Sequence, residues 1–148
     1  MSDTILRIIP TDPFYTCNEN IQRDVFSFLS KLYLQQQIKL LSTDYVEFVD
    51  QGQNFENVSC HLCEQLMDIE YWQNLMDHAF KTEFRHLNFT TACCNSKASL
   101  NDLNYNWPAG FARFLINITN AKTDLGVNEI SELKALLKCD VRIIWAKY

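Results

Sequence analysis

Six cysteines occur in the chain, and four of them stand in two close pairs, Cys60-His61-Leu62-Cys63 and Cys93-Cys94. Two short thiol pairs separated by a helix-length segment are a common way for a small protein to assemble a tetrahedral zinc site. Zinc takes four soft or borderline donors, with thiolate sulfur at about 2.3 Å. A Cys-x-x-Cys turn presents both of its thiols on one side of a tight knuckle. Adjacent cysteines in extended backbone point to opposite faces, so Cys93 and Cys94 ligate together only where the chain turns sharply. Otherwise one of them ligates, and His61, His86 or a carboxylate fills the vacant corner. The expected ligands are therefore Cys60, Cys63, Cys93 and Cys94, and the expected cofactor is zinc. Four cysteines close the coordination sphere and make a structural site, whereas a catalytic zinc keeps one position for water or substrate.

Two other chemistries fit the same residues. Free cysteines are among the most buried residue types, so the four thiols could simply fill a core. A Cys-x-x-Cys pair near a helix start can also act in redox chemistry through a lowered pKa. Here, however, the expected helix begins about five residues after Cys63 instead of at the first cysteine. His61 and His78 read as exposed or core-satisfied imidazoles and not as ligands. Cys17 and Cys139 are isolated and read as core or near-surface thiols. No Gly-rich phosphate loop, serine nucleophile elbow or paired carboxylates beside a base is found. The reading leans away from an enzyme, with a thiol- or zinc-dependent enzyme or redox protein as the alternative.

The elements that must position these residues alternate between two periods. Leu6-Arg7-Ile8-Ile9 reads as a short strand closed by Pro10 and Pro13. Ile21, Val25, Phe28, Leu29 and Leu32 recur at helical spacing, with Asn18 or Asn20 as the cap. Ile38 to Leu41 and Tyr45 to Val49 read as two strands or one bulged strand, followed by a turn at Asp50–Asn54. Trp72, Leu75, Met76, Ala79 and Phe80 form one stripe, which predicts a helix over 69–82 capped by Asp68. A short strand, His86 to Thr91, leads into the second cysteine pair. Phe111 to Ile118 is the clearest strand, with Ala112, Phe114, Ile116 and Ile118 on one face and Arg113 and Asn117 on the other. Ile130, Leu133, Leu136 and Leu137 mark a last helix, with Leu125 and Ile130 spaced as a hydrophobic staple, and Val141 to Ala146 closes as a strand. The order predicts a single α+β domain over 1–148, a mixed or antiparallel sheet with about three helices packed on it and a zinc-knuckle-like cysteine cluster.

Composition narrows the function classes. An apolar fraction of 47% and an aromatic fraction of 13%, with three Gly and three Pro, belong to one folded domain without long linkers. A net charge of −5 argues against phosphate-backbone binding, and no apolar run reaches the ~20 residues that span a bilayer. The expected partner is another protein, basic in charge, with no nucleic acid and no membrane. No secretory signal is visible at the amino terminus, so a cytoplasmic protein with reduced thiols is expected. Segment 99–113 mixes turn-forming Asn and Asp with Tyr, Trp and Arg, which are over-represented at binding hot spots. It reads as an interaction surface of Asn101, Asp102, Asn104, Tyr105, Trp107 and Arg113, or equally as a structured loop with Trp107 in the core.

Several blocks also carry a resemblance. They are Phe48-Val49-Asp50-Gln51-Gly52-Gln53-Asn54-Phe55, Cys60-x-x-Cys63, Cys93-Cys94, Ser99-Leu100-Asn101-Asp102-Leu103, Trp107-Pro108-Ala109-Gly110-Phe111-Ala112-Arg113-Phe114 and Ile143-Ile144-Trp145. Together they resemble a small family of bacterial proteins with no assigned activity. Members of that family tend to carry Cys-Pro-x-Cys and Pro-Cys-Cys-Gly, as zinc knuckles do. Here His61, Ala92 and Asn95 stand in place of the two prolines and the glycine. The expectation is a cytosolic interaction module with a structural zinc, in one specific form an immunity-type protein that neutralises a basic toxin.

Overall fold

The computed structural model describes residues 3–148. Along the chain lie β1 (Thr4–Pro10), α1 (Glu19–Leu32), β2 (Gln37–Val49), β3 (Asn57–Ser59), α2 (Ile69–Phe80), β4 (Asn88–Thr90), β5 (Lys97–Ser99), β6 (Asn104–Asn106), β7 (Gly110–Thr119), α3 (Val127–Leu137) and β8 (Val141–Lys147). Four of the strands form one sheet in the order β2-β7-β1-β8, antiparallel at every pairing. The α+β reading holds. The strand segments Leu6-Arg7-Ile8-Ile9 and Val141-Arg142-Ile143-Ile144 are neighbours in the sheet, with Arg7 opposite Ile144 and Ile8 opposite Ile143.

Helices α1 and α3 cover one face of this sheet. Asn18 caps α1 by accepting from the Ile21 N–H at 2.8 Å, which satisfies one of the unpaired donors of its first turn. The α1 stripe then places Val25 and Leu29 against Leu6, Ile8, Phe114, Ile116 and Ile118. Leu133 and Leu137 of α3 complete this core, and the staple residues Leu125 and Ile130 both pack into it. Burying each such side chain contributes about 1.5–3 kcal/mol.

A second, aromatic core lies where β2 and β7 leave the first. The register of β2 on β7 shifts between Ser42 and Glu47, so β2 is one bulged strand. At the bulge and beyond it, Val46 and Phe111 join Val58, Trp72, Ala79, Phe84, Leu100 and Tyr105, with Phe48 and Phe55 packed alongside. The Phe111 ring centroid is 5.1 Å from that of Phe48 and 5.2 Å from that of Phe84. Trp72 Nε1–H donates to Tyr105 Oη at 3.3 Å, and that hydroxyl donates to the Leu100 carbonyl at 2.6 Å. Beside the bulge the strict alternation of β7 is also broken. Ala112 packs with Ile9, Val49, Leu115 and Ile144, apart from Phe114, Ile116 and Ile118.

The knuckle half contains three strands that the periodicity does not reveal. β3 pairs with β6, and β4 with β5, each over three residues. The expected strand at 86–91 contracts to β4, and the expected helix over 69–82 ends at Phe80. Asp68 caps that helix as expected, accepting from the Glu70 N–H at 2.8 Å.

Candidate metal centre

Two hairpin loops bring the cysteine pairs together. In the first, β3 leads into Cys60, the chain turns over 61–63, and Ser59 bridges back to Leu66. The Cys60 N–H donates to the Gln65 carbonyl at 3.0 Å, and the Glu64 N–H to the Cys60 carbonyl at 2.9 Å. Glu64 closes the turn in the left-handed region, at φ 66°. In the second loop β4 leads into Thr91, the chain turns over 92–94, and β5 returns. Asn95 takes φ 54°, a conformation that Asn tolerates better than most residues. The sharp turn that adjacent cysteines require is therefore present.

The four sulfurs lie within 4.8 Å of one another. Cys60 and Cys94 Sγ are 3.9 Å apart, and Cys63 and Cys93 Sγ 3.3 Å apart. A tetrahedron with sulfur at about 2.3 Å from its centre has edges of about 3.8 Å, so the spacing suits one metal ion. All four positions named from the sequence are brought together, and they are the one such group among the described residues. Cys60 is buried, Cys94 half-buried, and Cys63 and Cys93 exposed.

The groups around the sulfurs favour thiolate at one cysteine of each loop. The Leu62 N–H donates to Cys60 Sγ at 3.4 Å. Backbone N–H groups, that of Cys63 foremost, lower the Cys60 pKa against the opposing effect of burial. Hydrogen bonding with Ser96 and Thr91 lowers the Cys94 pKa to about 6. Cys93 is pushed up to about 12, chiefly by its contact with Cys63. Negative charge held between two loops, with no protein cation among the potential ligands, is what a divalent ion neutralises.

Of the histidines, only His61 departs from expectation. His78 and His86 are exposed and outside the sulfur group. His61 is neither exposed nor satisfied. It is half-buried, its Nδ1 is buried without a hydrogen-bond partner, and it lines a cleft of about 500 Å³ with Asn88, Thr90, Lys97 and Asp102.

The expected interaction surface divides in two. Asn101 is buried. Its Oδ1 accepts from the Phe111 N–H at 3.0 Å, and its Nδ2 donates to the Thr11 carbonyl at 2.9 Å. Tyr105 is buried in the aromatic core. Neither side chain faces a partner; both tie the loop to the sheet. Arg113 is half-buried and donates through Nε to the Thr43 carbonyl at 3.1 Å, across the β2 bulge. Asp102, Asn104 and Trp107 are exposed, Trp107 by 42%. Trp107 is thus not a core residue.

Sequence reasoning passed over Arg142. Its guanidinium donates to the Asn101 carbonyl at 2.9 Å and to the Ala109 carbonyl at 3.0 Å, and burial lowers its pKa. Reading β8 as an alternating strand gives no hint of this, because the partners come from a distant loop. No protein-family model, curated protein or solved structure matches the chain.

Proposed function

We propose that the protein is a non-catalytic protein-interaction module whose knuckle half is held by one structural zinc ion on Cys60, Cys63, Cys93 and Cys94. The observation that carries this reading is the meeting of four sulfurs from two hairpin loops at spacings close to a tetrahedral edge. Four thiolates leave no coordination position for substrate, which favours a structural role over catalysis. Reduced thiols at all six cysteines accord with a cytoplasmic setting. The partner is a basic protein, met by the acidic surface of a chain with net charge −5. Its contact is centred on Asp102, Asn104 and Trp107, which are left in water, since Trp is over-represented at binding hot spots.

Native mass spectrometry of tag-free protein, before and after a strong chelator, tests the metal. One zinc per chain, lost together with thermal stability, is the expected result; metal-free protein with full stability contradicts it. For the surface, Asp102→Ala combined with Trp107→Ala is expected to remove partners in a pull-down from the native cell, and unchanged partners would sink that surface. One observation favours a second reading, a dithiol–disulfide protein: Cys63 and Cys93 are exposed with sulfurs 3.3 Å apart. The same spectra decide, because a disulfide removes two hydrogens from the metal-free mass.

A further inference from the structure

The two cysteine loops are built alike, residue for residue, at one constant offset. Cys60 N–H to Gln65 carbonyl matches Thr91 N–H to Ser96 carbonyl, at 3.0 and 2.8 Å. Glu64 N–H to Cys60 carbonyl matches Asn95 N–H to Thr91 carbonyl, at 2.9 and 3.0 Å. The left-handed residues Glu64 and Asn95 correspond, and so do the pairings Ser59 with Leu66 and Thr90 with Lys97 that open the hairpins. On this alignment Cys63 corresponds to Cys94, and Cys60 corresponds to Thr91. Cys93 corresponds to Leu62, which is not a ligand position in the first loop.

The sulfur contacts follow this relation on one side and break it on the other. Cys60 of the first loop meets Cys94 of the second at 3.9 Å. Exchanging the loops would pair position 91 with Cys63, yet the sulfur found next to Cys63, at 3.3 Å, is that of Cys93. Thr91 is buried and turned onto its own loop. Its Oγ1 accepts from the Ser96 N–H at 3.0 Å and lies 3.1 Å from Cys94 Sγ. When Cys94 is a thiolate it has no proton to give, so the Thr91 hydroxyl is the donor of this contact.

We infer that the metal centre is a single knuckle used twice, in which Cys93 supplies the corner that the residue at position 91 would otherwise occupy. Thr91 is then a positioning residue that orients Cys94 through a hydrogen bond to its sulfur. This rests on the zinc reading above, and it makes a claim that reading does not: position 91 can take over ligation from position 93.

Cobalt(II) binding to the full chain, followed by thiolate-to-cobalt absorption, separates the two claims. Cys93→Ala alone is expected to weaken binding and give the spectrum of three thiolates. Adding Thr91→Cys to Cys93→Ala is expected to restore the four-thiolate spectrum and raise affinity at least about tenfold over Cys93→Ala, the scale on which ligand-orienting groups act. Thr91→Val, which keeps the shape and removes the hydroxyl, is expected to shift the absorption and cost about 10–100-fold in affinity, with Thr91→Ser restoring both. If the wild-type chain takes up no cobalt, the zinc reading and this one both fall. If it takes up cobalt but the double variant is no better than Cys93→Ala, or Thr91→Val matches wild type in affinity and spectrum, this inference falls alone. Circular dichroism of each apo variant identifies any that has not folded. In that case the inference is judged on Thr91→Ser, for which a wild-type spectrum is required.

Discussion

The sheet-and-helix half and the knuckle half of this protein are held by different means. The first rests on strands of seven to thirteen residues and two helices burying branched aliphatic side chains. In the second, every strand is three residues long. Its chain path depends on left-handed turns at the non-glycine residues Glu64, Glu83, Phe84 and Asn95. Such turns carry a cost of about 1–2 kcal/mol each in L-residues, so surrounding contacts must hold them. What the contrast teaches is that period-2 and period-3.6 patterning suffices for the first half, whereas the second is packed on an aromatic cluster and holds a sulfur group suited to a cross-link. The four sulfurs are where that cross-link would sit.

Breaking the cross-link should show the largest effect. Cys60→Ser replaces the buried sulfur of the set. It is expected to lower zinc affinity by more than the about 100-fold that losing an outer-shell partner costs, as read by competition with a chromophoric chelator. Structural zinc in small knuckles is associated with apparent free energies of about 10–16 kcal/mol, and the knuckle half is expected to lose order with the ion.

The sheet half should yield to a cavity and not to chelation. Phe114 is fully buried between β7 and the two helices, and Phe114→Ala is expected to cost about 3–5 kcal/mol in denaturant unfolding. Its zinc stoichiometry should be unchanged at temperatures below unfolding.

Asn101 joins the two halves, so its loss sharpens the boundary between them. Asn101→Ala removes the acceptor of the buried Phe111 N–H and the donor to Thr11. An orphaned buried donor costs about 1–3 kcal/mol. Gly110 stands beside it with no room for a side chain. A Cβ there would lie 2.6 Å from an Arg142 guanidinium nitrogen and 2.8 Å from Ile9 Cδ1, so Gly110→Ala is expected to destabilise by a similar amount. The smallest effect belongs to the cap of α2. Asp68→Ala removes the acceptor for the Glu70 N–H and is expected to cost about 1 kcal/mol by thermal unfolding, without changing metal binding.

The same division governs what could be read from the sequence. The α1 and α2 stripes, both their caps and the alternation from Phe114 to Ile118 are local signals, and the structure carries them except at the stripe ends, where Leu32 and Phe80 are exposed. Ala112 departs from its strand pattern because the β2 bulge beside it is a long-range event. β3, β5 and β6 are too short to show a period. The four cysteines that come together were legible as residue types, but how Cys93 and Cys94 turn together was not, since that depends on Asn95 taking a left-handed conformation. Within 99–113, composition could not separate Asn101 and Tyr105, which bind the loop to the core, from Asp102, Asn104 and Trp107, which face water. Residues that close turns and residues that form hot spots are of the same types.

Residue-resolved hydrogen exchange with and without a strong chelator tests most directly whether a metal ion holds the knuckle half. The account predicts that chelation removes amide protection at Val58, Cys60, Thr91 and Ala98 while protection at Leu6, Ile8, Ile116 and Ile118 persists. Equal protection of both groups after verified metal loss, or zinc-free protein with the first group already protected, would contradict it.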